Sequence, residues 1–96
     1  MIPKPKRETS KEYLEYIKTL PCCRRDNNCT GDIVPHHTIT KGAGGSDLLT
    51  IPLCGYHHYK VHEWGRSAFQ LYYGIEFQDI IIKNLRGCIK KLDGKP

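Results

Sequence analysis

Cys54-Gly55-Tyr56-His57-His58-Tyr59-Lys60-Val61-His62 is the stretch on which the fold turns. It reads as a short helix that ends near Gly65. Cys54 and His57 are three residues apart and share one side of a helical turn. His58 and His62 are four apart and stack one above the other. A Cys/His pair and a His/His pair on one short helix can serve two different metal ions.

Upstream, Ile33-Val34 begins a strand that carries His36 and His37, and the β-branched run Thr38-Ile39-Thr40 extends it. Lys41-Gly42-Ala43-Gly44-Gly45-Ser46 reads as a flexible loop. Leu48-Leu49-Thr50-Ile51-Pro52-Leu53 reads as a second strand, with Pro52 near its end. Two strands joined by a glycine loop suggest a hairpin. The loop is not a nucleotide P-loop, because it lacks the G-x4-G-K-[ST] pattern. It serves as a connector or touches a ligand.

A structural zinc takes four N or S ligands in a tetrahedron. Cys22 or Cys23, Cys29, Cys54 and His57 supply them, and one zinc would pin the N-terminal loop to the start of the helix. A catalytic ion needs open positions. His36, His58 and His62 can offer it three imidazoles and leave room for water and a phosphate. His37, the next residue on the strand, points to the opposite face from His36. It suits a general base acting on a nearby water.

The flanks complete the outline. Thr9-Ser10-Lys11-Glu12 reads as a capping box for a helix with Tyr13, Leu14, Ile17 and Leu20 at helical spacing, and Pro21 closes it. A second box, Ser67 with Gln70, would open a helix that Gly74 stops. A last helix would carry Ile81, Leu85, Cys88, Ile89 and Leu92 on one face. Tyr13, Phe69, Tyr72 and Phe77 are expected in the core, and Cys88 reads as a small buried thiol. The expected order is one helix, a hairpin and three helices, in a single domain spanning 1–96. Within it, 1–8 form a mobile tail, 9–20 the first helix, 22–65 the metal-binding core and 66–92 the last helices.

Composition sets bounds on this picture. The chain has 96 residues, of which 39% are hydrophobic, and a mean hydropathy of −0.53. A domain of this size buries little apolar surface and often needs a metal or a disulfide as a staple. No apolar run approaches the length of a transmembrane helix, so no membrane partner is expected. Met1-Ile2-Pro3-Lys4-Pro5-Lys6-Arg7 lacks the apolar core of a signal peptide, so a reducing cytoplasm is expected. There, cysteines more often bind metal than form disulfides. All five histidines and four of the five cysteines lie between Cys22 and His62. A formal charge of +5 with a pI near 9.0 favours a polyanionic partner.

The ordered set His36-His37, glycine loop, Ser46-Asp47, Leu53-Cys54-x-x-His57-His58-x-x-x-His62 resembles the HNH, or ββα-metal, endonuclease motif. It is most similar to the phage Ref-like, RecA-dependent nuclease group. There a segment like Tyr13-Leu14…Leu20-Pro21-Cys22 precedes the His-His strand and one like Thr50-Ile51-Pro52-Leu53-Cys54 follows it. The resemblance runs from about Tyr13 to Gly74. It favours Cys22 over Cys23, because Cys22 directly follows Pro21. The family's zinc pair is usually a close C-x-x-C, whereas Arg24-Arg25-Asp26-Asn27-Asn28 widen the gap before Cys29.

That resemblance implies an α+β fold: a small ββα-metal core with a β-hairpin and a metal-bearing helix, stapled by zinc and flanked by N- and C-terminal helices. It implies His36, His58 and His62 as ligands of the catalytic ion, His37 as the base, and Asp47 as the residue orienting that base. The implied activity is hydrolysis of DNA to 5′-phosphate and 3′-hydroxyl ends, in a phage or prophage protein acting in a bacterial host cell. The implied cofactors are a structural Zn²⁺ and one divalent ion, Mg²⁺, Mn²⁺, Ni²⁺ or Zn²⁺. DNA is the implied partner, and recombination proteins such as RecA enter by that analogy alone. The alternative is a zinc-stabilised DNA-binding module without catalysis. It accounts for Cys22, Cys29, Cys54 and His57 but leaves the remaining histidines idle.

Overall fold

The computed structural model describes residues 8–40 and 43–93. The elements run α1 (Lys11–Lys18), β1 (Val34–His37), β2 (Thr50–Leu53), α2 (Gly55–Trp64), α3 (Arg66–Tyr73) and α4 (Phe77–Asp93). The expected order of helix, hairpin and three helices holds. The tail expected over 1–8 lies outside the described residues except for Glu8, as do Lys41 and Gly42 of the glycine loop. No helix among the described residues is long and apolar enough to cross a membrane.

Ser10, not Thr9, caps α1. Its backbone is extended and its Oγ accepts from the Tyr13 N–H at 3.2 Å, a cap that contributes about 1 kcal/mol. The expected Thr9–Glu12 box is thus displaced by one residue. Tyr13 and Ile17, one turn apart, are the buried residues of α1.

The two strands pair antiparallel, with Val34 opposite Leu53, Pro35 opposite Pro52, His36 opposite Ile51 and His37 opposite Thr50. Two prolines face each other without loss, because this pair sits where neither residue donates across the ladder. The outward-facing Pro52 carbonyl instead accepts from the Cys23 N–H at 2.8 Å. Both strands are shorter than expected. β1 ends at His37, although the Thr38 N–H still reaches the Leu49 carbonyl at 3.1 Å. Leu48 and Leu49 join a turn organised by Ser46, whose Oγ accepts from the Leu48 N–H and whose carbonyl accepts from the Leu49 N–H.

Cys54 caps α2 and Gly65, at φ 84°, ends it. Gly65 also opens α3, with no side-chain cap, so the Ser67/Gln70 box does not form. Gln70 accepts instead from the Phe77 N–H at 2.8 Å and ties the end of α3 to the start of α4. Gly74 stops α3 in the left-handed conformation, as its position predicts.

Ile51, Leu53, Val61, Phe69, Phe77 and Ile81 form the core with Cys22 and Cys54. Of the aromatics expected there, Tyr13, Phe69 and Phe77 are buried, but Tyr72 is 72% exposed and packs edge-on against Trp64. The α4 face is also covered only in part. Ile81 is buried, yet Ile89 and Leu92 are exposed. An eight-residue α1, roughly 12 Å long, cannot cover an α4 of roughly 25 Å.

Candidate metal centres

The first centre gathers around the start of α2. Cys54 stands at the N-cap and His57 one turn in, so both face the loop that carries Cys22 and Cys29. That loop is held close by two glycines. Gly31 lies against Gly55, with room for little more than a van der Waals contact, and the Tyr56 N–H donates to the Thr30 carbonyl at 3.3 Å. His57 Nδ1 then lies 3.1 Å from Cys54 Sγ, 3.5 Å from Cys22 Sγ and 3.6 Å from Cys29 Sγ. A tetrahedral zinc with its usual bond lengths sets S···N edges of about 3.5 Å. The four ligand atoms all lie within 4.8 Å of one another. Cys22, Cys29, Cys54 and His57 could therefore hold a structural, zinc-like ion, and the cluster takes Cys22 rather than Cys23. Cys23 packs against the core instead.

The electrostatics of this cluster suit a cation. Burial pushes the Cys22 thiol up to about 12, against backbone N–H groups that favour the thiolate, and neighbouring sulfurs add to the rise. Burial also opposes ionisation of Cys54, but the His57 backbone N–H and imidazole, with Thr30 and Cys29, bring it down to about 6. A divalent ion relieves the crowding of thiolates. The fully buried His57 is aimed by a residue that the sequence did not reveal. Its Nε2 meets Asp26 Oδ2 at 3.1 Å, which directs Nδ1 at the sulfurs, as outer carboxylates commonly do for metal-bound histidines. The Asn28 N–H, and after it the His57 imidazole, hold the Asp26 carboxyl below the usual range.

The second centre lies between β1 and α2. His58 and His62 face each other with Nε2 atoms 3.1 Å apart. The His36 ring meets both edge-on, with centroids at 5.3 Å. Nitrogen ligands about 2.0–2.1 Å from one ion lie about 3 Å apart, so the three imidazoles can converge on one ion. Burial, with the charges of His58 and His62 and then of His37 and Arg66, lowers His36 to about 4. Burial and His62 also lower His58. Both shifts, at His36 and His58, favour the neutral ring, the form that ligates metal.

The triad opens on a cleft of about 580 Å³ that His37, Thr38 and Arg66 also line. His37 Nε2 meets Asp47 Oδ1 at 2.8 Å, and both side chains are largely shielded from solvent. Asp47 is itself held at several points. Its Oδ2 accepts from the Ser10 N–H at 2.9 Å, its N–H donates to the Glu8 carbonyl at 3.0 Å, and its carbonyl accepts from Thr50 Oγ1 at 2.9 Å. Gly45 permits this approach, because a Cβ there would strike the Ile39 carbonyl.

All nine expected site residues thus fall into three groups: a Cys₃His cluster, a His₃ triad, and a His37–Asp47 pair on the triad's cleft. Sequence reasoning missed Asp26, Ser10 and Arg66. Arg66 carried no signal, because Gly65 breaks the helical spacing from His58 and His62 before it. Asp26 carried none, since only the folded loop brings it to His57.

A family model described as a protein of unknown function, DUF968, matches residues 1–88. Among curated proteins, the chain is similar to the uncharacterized protein YdfU of Escherichia coli (strain K12). The two are 34% identical over 84 residues, which cover 80% of this chain and 22% of that protein. The chain therefore spans about a fifth of the length of the curated relative it matches. No solved structure matches it significantly.

Proposed function

This chain belongs to the DUF968 family, and we propose that it is a metal-dependent DNA endonuclease of the HNH type. The observation that carries the reading is the His37–Asp47 pair at 2.8 Å on the cleft of the His36/His58/His62 triad. A structural zinc alone gives no reason for either. Cys22, Cys29, Cys54 and His57 would hold a structural zinc, while His36, His58 and His62 would hold the catalytic ion. That ion, when bound, supplies charge neutralisation at the phosphate and the leaving oxygen.

The chain's own residues do the rest. Asp47 accepts from His37 Nε2–H and so leaves the Nδ1 lone pair as the base. Water gives a proton to His37 Nδ1 and its oxygen forms the new bond to phosphorus. The bond from phosphorus to the 3′-oxygen breaks, and that oxygen takes a proton from solvent. A 5′-phosphate and a 3′-hydroxyl result. Arg66, on the same cleft, offers a fixed positive charge to the phosphate oxygens. Recombination proteins such as RecA belong to the proposal by analogy with the Ref-like group.

Metal calorimetry beside single-turnover cleavage, for His36→Ala and His37→Ala, tests these assignments. His36→Ala weakens the catalytic ion, and added metal restores part of the rate. His37→Ala keeps the ion and the fold but cuts about 10²–10⁴-fold more slowly, the usual contribution of a general base. Loss of the ion from His37→Ala but not from His36→Ala reverses the two roles. If both variants cut like the parent, the HNH assignment of His36 and His37 fails; if nothing cuts at all, a zinc-stabilised DNA-binding module replaces the nuclease.

A further inference from the structure

Lys83, Arg86 and Lys90 lie three and four residues apart on α4, so they form one row along the helix. All three are exposed. Together with Gly87 they line a groove of about 520 Å³, and Asp79 marks its acidic end. Several other cations of the fold have local partners. Lys18 meets Glu15 at 3.3 Å, Lys60 lies near Glu63 and over Trp64, Arg24 covers Tyr73 and Lys91 covers Tyr16. Among the described residues no ion pair or ring contact is made by Lys83, Arg86 or Lys90.

Favourable charge at a helix C-terminus accounts for Lys90, in the last turn of α4, but not for Lys83 and Arg86, which lie further back. A plain solvated face would also not need three like charges in one row, which repel each other at this spacing. We propose that this row is a docking surface for the phosphodiester backbone of nucleic acid. It spans roughly 10 Å along the helix, enough for two neighbouring phosphates of one strand. Its distance from the cleft is also suitable. Phe77 opens α4 and its ring packs edge-on against His36 at 6.1 Å. The row thus begins roughly 9 Å further along the axis and ends roughly 20 Å along, within one turn of a duplex, about 34 Å. The surface adds to the proposed nuclease a place where its substrate is held outside the cleft, yet binding there does not depend on cleavage.

The test is equilibrium binding of the zinc-loaded full chain to a short labelled DNA duplex over a range of salt. The protein carries His37→Ala, so that the probe stays intact whether or not the chain cuts. Replacing Lys83, Arg86 and Lys90 together by Gln, a good helix former, should weaken binding roughly tenfold or more at low salt. It should also flatten the log K against log salt slope by about 1.8, roughly 0.9 for each of the two phosphates the row no longer neutralises. A second variant makes the same change of charge elsewhere, Lys11→Gln, Lys18→Gln and Arg25→Gln, and should leave the slope nearly unchanged. Both variants must match the parent in zinc content and melting temperature. Equal slopes for parent and row variant overturn the proposal, as do equal losses in the two variants, or tighter binding to anionic lipid vesicles than to duplex. If the chain with His37 intact cuts nothing, yet the slope of the His37→Ala protein depends on the row, the docking surface stands and the nuclease is overturned. If the chain with His37 intact cuts while the row variant binds undiminished, the reverse holds.

Discussion

His36 and His37 are neighbours of one residue type, and the strand gives them different surroundings. His36 turns inward to His58 and His62, while His37 meets Asp47. That division was legible in the alternation of a strand, and the part played by Asp47 only through a family resemblance. The choice of Cys22 over Cys23 became physical only once the Cys23 N–H was seen paired to Pro52, which fixes the backbone between the two thiols. A pH prediction belongs at this scale. Burial lowers His36 from 6.5 to about 4 in the fold, so the unfolded chain binds the extra proton first. The stability this neutral ring contributes is complete above pH 6.5 and is lost as pH falls towards about 4. Denaturant titrations of the zinc-loaded protein across that window should show the decline, and His36→Gln, which does not titrate, should flatten it. A stability profile that is flat from pH 6.5 to 4 in the parent contradicts the environment described for His36.

At the scale of elements, apolar and Cys/His spacing, β-branched runs and glycine stops located the helices and both strands, but their ends were less legible. The strands stop early because Ser46 and Asp47 spend their hydrogen bonds on turns and on the α1 cap. α3 starts at Gly65 because a glycine at positive φ can end one helix and open the next. Exposure of Ile89 and Leu92 follows from the short α1, a matter of relative lengths that no local pattern encodes. Phe69 is the residue that joins these elements. It is fully buried and its ring meets Trp64, Tyr73 and Phe77 from three helices and His57 of the zinc-like cluster. Phe69→Ala should cost about 3–5 kcal/mol, transfer and cavity terms together. Urea unfolding of the two proteins measures it. A loss below about 1 kcal/mol would mean that α3 is not fastened to α2 through this ring.

For the whole molecule, a chain of 96 residues with a small apolar core is expected to gain stability from a zinc-like ion, which Cys22, Cys29, Cys54 and His57 could hold. Cys54→Ser should lower the melting temperature of the whole domain and the bound zinc together, since the binding energy of a structural zinc is folding energy. A Cys54→Ser protein with full zinc content and an unchanged melting temperature contradicts this. The central claim, that one fold combines a structural ion with a hydrolytic one, is tested most directly by cleavage. Supercoiled plasmid is incubated with the zinc-loaded chain and Mg²⁺, Mn²⁺ or Ni²⁺, beside His37→Ala matched in zinc content. The account predicts nicked or linear DNA with 5′-phosphate ends, formed only when the second ion is added and about 10²–10⁴-fold more slowly by His37→Ala. Plasmid left intact by the parent with every ion, or cut equally by His37→Ala, would contradict it.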